Sequence, residues 1–186
     1  DRVLKWARDL VEVYEWNKAN DGSKEPPRLR TWLCGSAGSG KTKTLKSIVQ
    51  HVRLLFQQKD VDATVELTAY TGIAAFNIGF GAKTCCSSFS ISSSGIWKKE
   101  VKGEAARRLE QQWRSVVLLI VDEISFIGTA FFARMHFRLQ QGRSRYFSER
   151  GLNPNGYTFG DASVILVGDF GQLEPIEDVS LVDKET

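Results

Sequence analysis

Hydrophobic positions along this chain change period several times, and each change marks an element. Val3, Leu4, Ala7, Leu10, Val11 and Tyr14 recur at helical spacing, so residues 1–18 are predicted to form an amphipathic helix. Asn20 to Pro27 is polar and Pro-rich and reads as a connector. Arg30-Thr31-Trp32-Leu33-Cys34 reads as a short strand, and Lys43 to Gln58 as a helix with Leu45, Ile48, Val49, Val52, Leu55 and Phe56 on one face. Thr64 to Thr68 is a second strand candidate, followed by a helix from Gly72 to Ile78. Gly79 to Gly95 reads as a Gly/Ser-rich loop, and residues 104–114 as a helix. Val116 to Val121 is continuously apolar, as a strand buried on both faces should be. A further helix is expected over 129–141, then mostly loop from Gly142 to Gly160, then a last strand over Ser163 to Val167.

Strands alternating with helices imply right-handed crossovers, a mostly parallel sheet and an α/β fold. Ligands of such sheets sit beyond the carboxyl ends of the strands. The expected division is an N-terminal helix and connector over 1–27 and one nucleotide-binding domain over 28–186.

Composition narrows this only a little. The chain has 186 residues, 42% hydrophobic and 25% charged, which suits one soluble domain with a real core. No apolar run reaches the length of a membrane span, and no signal peptide is visible. A start at Asp1 without Met reads as an excised or processed piece. Net charge is only +3, which neither demands nor excludes nucleic acid. The cations are clustered, however, over Lys98–Arg114 and Arg134–Arg150, and the tail from Glu174 is acidic. The arginines at 134–150 are read as an ordinary solvated surface. Cys34, Cys85 and Cys86 make an odd count without paired spacing, which points to a reducing compartment. Cys85-Cys86 supplies half of a zinc site, but the chain offers only His51 and His136 and no second Cys pair, so buried or neutral thiols are expected.

The chemistry concentrates in three places. Gly35-Ser36-Ala37-Gly38-Ser39-Gly40-Lys41-Thr42 fits G-x-x-x-x-G-K-[ST], the phosphate-binding loop of nucleotide-triphosphate enzymes. Gly35, Gly38 and Gly40 permit backbone angles that turn successive N–H groups toward phosphate. Lys41 brings a mobile charge to the β- and γ-phosphates, the Thr42 hydroxyl suits Mg²⁺, and the helix that follows adds its N-terminal dipole. Second, the strand ending in Asp122-Glu123 places two carboxylates where they can face a metal–triphosphate. Asp122 would hold Mg²⁺ through water and Glu123 would polarise the attacking water. Alone, the pair reads equally well as a helix N-cap; with a phosphate loop upstream the catalytic reading prevails. Third, Gln172 in Val167-Gly168-Asp169-Phe170-Gly171-Gln172 follows the last strand. It reads either as a sensor of γ-phosphate or as a solvated turn amide.

The four segments GSAGSGKT at 35–42, LTAYTGIAAFNIG at 67–79, LLIVDEIS at 118–125 and VGDFGQLEPI at 167–176 together resemble the Pif-type DNA helicases of superfamily 1, group B, with RecD as a more distant relative. The segments are ordered and spaced as in that family. The resemblance implies the first RecA-like motor domain of an ATP-dependent helicase. It implies translocation on single-stranded DNA with 5′-to-3′ polarity, in replication, repair, recombination or telomere maintenance. ATP and Mg²⁺ would be the cofactors, and a second RecA-like domain would supply an arginine finger. The compartment implied is intracellular, nuclear or mitochondrial in a eukaryote. Lys41 and Thr42 match the nucleotide and magnesium residues, Asp122 and Glu123 the metal-holding and water-activating pair, and Gln172 the γ-phosphate glutamine. Thr71, Gly72, Thr84 and Ser87 match segments that touch DNA. Thr71 also reads as a helix N-cap. Phe89 is a candidate stacking platform for a base, with core packing as the other reading.

The chain departs from the family at Glu174-Pro175, where a Pro-Pro pair is usual, and at Cys86, where His is common. The loop at Gly79-Phe80-Gly81-Ala82 is slightly longer, and residues 1–30 contain no adenine-reading glutamine. Competing readings are a translocase or conjugative relaxase-helicase with a similar core, and a remnant that only binds nucleotide or DNA.

Overall fold

The apolar run at 116–121 becomes the centre of a parallel sheet. The computed structural model describes residues 2–20, 22, 24–92, 96–173, 175 and 178–182. Its strands are β1 (Arg30–Cys34), β2 (Thr64–Ala69), β3 (Lys83–Thr84), β4 (Val116–Asp122) and β5 (Ser163–Gly168). They lie in the order β1-β5-β4-β2-β3, every neighbouring pair parallel. The helices are α1 (Arg2–Asn20), α2 (Lys41–Gln58), α3 (Gly72–Ile78), α4 (Cys85–Ser88), α5 (Glu104–Trp113), α6 (Thr129–Gly142) and α7 (Ser144–Glu149).

Two cores sandwich the sheet, which is why β4 carries no polar alternation. Leu118 and Ile120 face Val49, Val52 and Phe56 of α2 and Leu10 and Val11 of α1. Leu119 and Val121 face Leu109 and Trp113 of α5 and Met135 and Leu139 of α6. Each such side chain contributes about 1.5–3 kcal/mol on leaving water. The Trp6 indole N–H donates to the Pro27 carbonyl at 2.9 Å, so the connector is tied back onto α1.

Register fixes where the site must form. Cys34 pairs with Gly168, and Ala69 pairs with both Asp122 and Thr84. The segments that begin at Gly35, Asp169, Glu123, Tyr70 and Cys85 therefore leave the sheet along one edge.

Three expectations need correction. The stretch from Gly79 to Gly95 is not simply loop: it contains β3 and the short helix α4. Thr84 caps α4 by accepting from the Ser87 N–H at 3.2 Å, and buried Cys85 and Phe89 anchor it. Four residues are too few to show a helical period. The stretch from Gly142 to Gly160 likewise contains α7 and a single-turn helix, Pro154–Gly156, and ends in a turn where Phe159 and Gly160 are left-handed. Finally, the arginines at 134–150 are not uniformly solvated: Arg138 and Arg143 are 2% and 4% exposed. The Arg138 guanidinium donates to the carbonyls of Lys98 and Lys99, each at 2.6 Å, and lies over the Trp97 ring. Arg143 donates to the Val116 carbonyl, against Tyr146. Both satisfy loop and strand carbonyls from the inside. Glu174 and the tail from 183, both singled out in the sequence, lie outside the described residues.

Candidate nucleotide site

The segment after β1 folds as a phosphate loop. Gly38 and Gly40 sit at φ 76° and 88°, a region open to glycine at little cost. Ser39 N–H donates to the Ser36 carbonyl at 3.2 Å and closes the turn. Gly35 plays a different part from the one expected, because its φ is ordinary. A Cβ there would lie 2.6 Å from Ser39 Oγ, so a larger residue would have to push that hydroxyl aside. The Lys41 ammonium donates to the carbonyls of Gly35 and of Ser36, the latter at 2.9 Å. Thr42 stands exposed in the first turn of α2.

The acidic pair closes β4 two strands away. Asp122 is 8% exposed, and burial pushes its carboxyl above the ordinary 3.8. Two effects oppose that push: a hydrogen bond from the Glu123 N–H to Oδ1 at 2.9 Å, and the charge of Lys41. A buried carboxylate that gains from a nearby cation is the kind of donor a hard divalent ion prefers. Glu123 occupies the left-handed region at φ 57°, ψ 40°. For a non-glycine residue this costs of order 1–3 kcal/mol, and such strain collects at functional positions. Its Oε2 accepts from the Thr71 N–H at 3.2 Å and the Thr71 hydroxyl at 2.8 Å.

Asp169 begins a tight turn after β5, with its carboxylate accepting the Gly171 N–H at 2.9 Å and its carbonyl the Gln172 N–H at 3.0 Å. Gln172 is exposed at this same sheet edge. The chain then returns to α6. Asp178 accepts from the N–H groups of Ala130 and Phe131 at 3.3 and 3.2 Å, and Thr129 N–H donates to the Val179 carbonyl at 2.9 Å.

Sheet order brings the phosphate loop, Asp122, Glu123 and the Gln172 turn to one edge, with Thr71, Gly72, Thr84 and Ser87 further along it. Thr71 is an N-cap: its hydroxyl accepts from the Ala74 N–H at 3.2 Å. Phe89 is not at the edge. It is 0% exposed and stacked on Trp113 at 4.9 Å between ring centroids, so the core reading holds and the base-stacking one falls. Cys85 is buried and its thiol is pushed up to about 12. The bond between Thr71 and Glu123 escaped the sequence reading. It depends on β2 lying beside β4, and strand order leaves no local trace.

This arrangement defines a RecA-like P-loop domain. A family profile described as PIF1-like helicase matches residues 20–182, and the chain belongs to that family. The ATP-dependent DNA helicase RRM3 of Saccharomyces cerevisiae is 30% identical over 149 residues, covering 80% of this chain and 19% of the relative. The ATP-dependent DNA helicase PIF1 of Danio rerio is 34% identical over 147 residues, covering 78% of this chain and 20% of the relative. The chain thus spans about a fifth of the length of these relatives. Among solved structures, the Pif1 helicase of Candida albicans superposes with a TM-score of 0.60 at 27% identity, over 89% of this chain and 33% of that one.

Proposed function

We propose that this chain is the ATP-hydrolysing first motor domain of a DNA helicase that translocates on single-stranded DNA, with 5′-to-3′ polarity. Residues 28–186 form the motor, and α1 buttresses α2. The observation that carries the reading is the convergence of Lys41, Asp122 and Glu123 on one sheet edge in a chain of this family. Its curated relatives are ATP-dependent DNA helicases.

The chemistry follows from the residues. Gly35 to Thr42 wrap the triphosphate with backbone N–H groups, and Lys41 exchanges the Gly35 and Ser36 carbonyls for phosphate oxygens. Thr42 and Asp122 would hold Mg²⁺, whose charge would offset that developing on the phosphates. Glu123 takes a proton from the attacking water. Gln172, on the turn after β5, reports the γ-phosphate to the rest of the domain. Thr71, Gly72, Thr84 and Ser87 offer hydroxyls and N–H groups to DNA phosphates, contacts that carry no sequence information. A second RecA-like domain completes the cleft with an arginine finger, which supplies on the order of 10³–10⁵ in rate. The protein acts inside the cell, in the nucleus or mitochondrion of a eukaryote. Among the described residues no helix is long and apolar enough to cross a membrane.

The test is ATP hydrolysis by the full-length protein with and without oligo(dT), beside Lys41→Ala. Turnover stimulated by the oligonucleotide and lost in the variant supports the motor. Nucleotide binding with no stimulated turnover makes the chain a binding remnant instead.

A further inference from the structure

One oxygen of the Glu123 carboxylate is tied to Thr71 on the neighbouring strand's loop. Both donors on its Oε2 come from Thr71, the N–H at 3.2 Å and the hydroxyl at 2.8 Å. The strand order gives this a direction. β4 has β5 and then β1, with the phosphate loop, on one side and β2, with Thr71, on the other. The carboxylate is therefore drawn to the side of β4 that lies away from the loop. The same Thr71 oxygen accepts from the Ala74 N–H at 3.2 Å, so one hydroxyl joins Glu123 to the first turn of α3.

α3 is held at its far end, by Ala75 and Ile78 in the core and by the Arg53 bond to the Phe80 carbonyl just beyond it. It is a seven-residue helix, with only Ala75 and Ile78 buried. Ile73 and Phe76 point outward, 77% and 86% exposed. The first turn, from Thr71 to Ile73, lies ahead of these anchors. A shift of that turn withdraws Thr71 from Glu123.

We propose that Thr71 is a latch on Glu123, holding its carboxylate toward β2 until a single-stranded nucleic acid engages α3 and releases it. This rests on the reading of Glu123 as general base and adds the regulation of that base. Thr71 is a positioning residue, since it acts on the reaction only through Glu123. In the latched state Oε2 is occupied by the two Thr71 donors, and they fix the direction in which the whole carboxylate points. Engagement of the Thr71-Gly72 segment by DNA phosphate competes for the Thr71 donors. The freed carboxylate can then turn toward the water next to the γ-phosphate. ATP hydrolysis becomes dependent on track occupancy without any contact between DNA and nucleotide.

The experiment measures kcat and KM for ATP in the full-length protein, without DNA and with saturating oligo(dT). Four proteins are compared with the parent. Thr71→Val removes the hydroxyl donor. Thr71→Asp keeps an acceptor for the Ala74 N–H but repels the Glu123 carboxylate. Thr71→Ser keeps the hydroxyl, and Glu123→Gln removes the base. The latch predicts that Thr71→Val and Thr71→Asp raise the DNA-free kcat about tenfold, the scale of one hydrogen bond to a charged group, with KM for ATP unchanged. The stimulation ratio shrinks accordingly, and Thr71→Ser restores it. Thr71→Asp retains the cap, so it carries the test should Thr71→Val not fold. A DNA-free kcat at or below the parent's in the folded variants, with a weaker affinity for oligo(dT), overturns the latch and leaves Thr71 a plain phosphate contact. Parental turnover in Glu123→Gln overturns the base assignment itself, so the two failures are told apart.

Discussion

Asp178 lies against Gly128, so close that a Cβ on Gly128 would meet the Asp178 side chain at 2.2–2.3 Å. That approach lets one carboxylate accept from the first N–H groups of α6 and from its own neighbour Val179, at 2.8 Å. The chain that has left the Gln172 turn is thereby fastened to the helix that follows Glu123. Burial opposes ionisation of Asp178, but the donors from Phe131, Val179 and Ala130 and the charge of Arg134 outweigh it and hold its carboxyl below the ordinary 3.8.

Gly128→Ala is expected to destabilise the domain by about 1–3 kcal/mol, the usual cost of forcing an atom into an occupied space. Asp178→Gly removes every Asp178 atom in that space, the Cβ at 2.3 Å included, so the double variant should lose less than the sum of the singles. Urea denaturation of all four proteins gives the coupling. Additive losses would mean the two residues do not meet.

Phe89→Ala should act through the fold. Removing a fully buried ring costs about 3–5 kcal/mol, so the melting temperature should drop by many degrees. Phe76→Ala, at an exposed position, should leave it nearly unchanged. Thermal unfolding followed by circular dichroism compares the two; a small drop for Phe89→Ala would return that ring to the surface.

Metal-dependent nucleotide binding should fail early on acidification. Burial raises the Asp122 pKa, so this carboxyl takes up a proton at a pH above the ordinary 3.8. A protonated Asp122 cannot hold Mg²⁺. The Mg²⁺-dependent part of the affinity for a fluorescent ATP analogue should therefore decline as pH falls, before ordinary surface carboxylates titrate. The part that survives EDTA should not show this decline. Asp122→Asn should have lost the metal-dependent part at every pH.

His136 should make stability sensitive to mild acid. Its Nδ1 accepts from the Phe159 N–H at 3.0 Å, which needs the neutral ring, and burial lowers its pKa below the ordinary 6.5. The unfolded chain binds the proton first. Stability from this group is then complete above 6.5 and lost as pH falls from 6.5 toward the folded value. Melting temperature against pH should show that step in the parent and not in His136→Gln.

Much of this was legible in the chain. The phosphate loop and the carboxylate pair announce themselves because each is one contiguous segment with its own chemistry. Long periodic segments such as Leu45 to Phe56 and Val116 to Val121 were equally plain, since burial imposes the period directly. What escaped was short or non-local. α4 is held by a Thr84 cap and the Phe89 anchor rather than by any repeat. Arg138 looks like every other surface arginine until Trp97 and the carbonyls of residues 98–99 are folded over it. The hydrogen bonds between Thr71 and Glu123 exist only because β2 and β4 are neighbours, and the strain at Glu123 only because the chain must turn sharply after Asp122.

Arg53 has a consequence for force rather than for chemistry. From the middle of α2 its guanidinium grips the Phe80 carbonyl at 2.9 Å and the Val65 carbonyl at 3.1 Å. Arg53 lies twelve residues beyond Lys41, roughly 18 Å along the helix at 1.5 Å per residue. α2 is therefore a stiff rod with the phosphate loop at its root and the loop that ends α3 clamped partway along its shaft. A tilt of a few degrees at the root moves the clamp by about an ångström. The displacement would arrive at Phe80, just past α3, and at Val65 in β2, so one side chain joins the helix rooted in the phosphate loop to both.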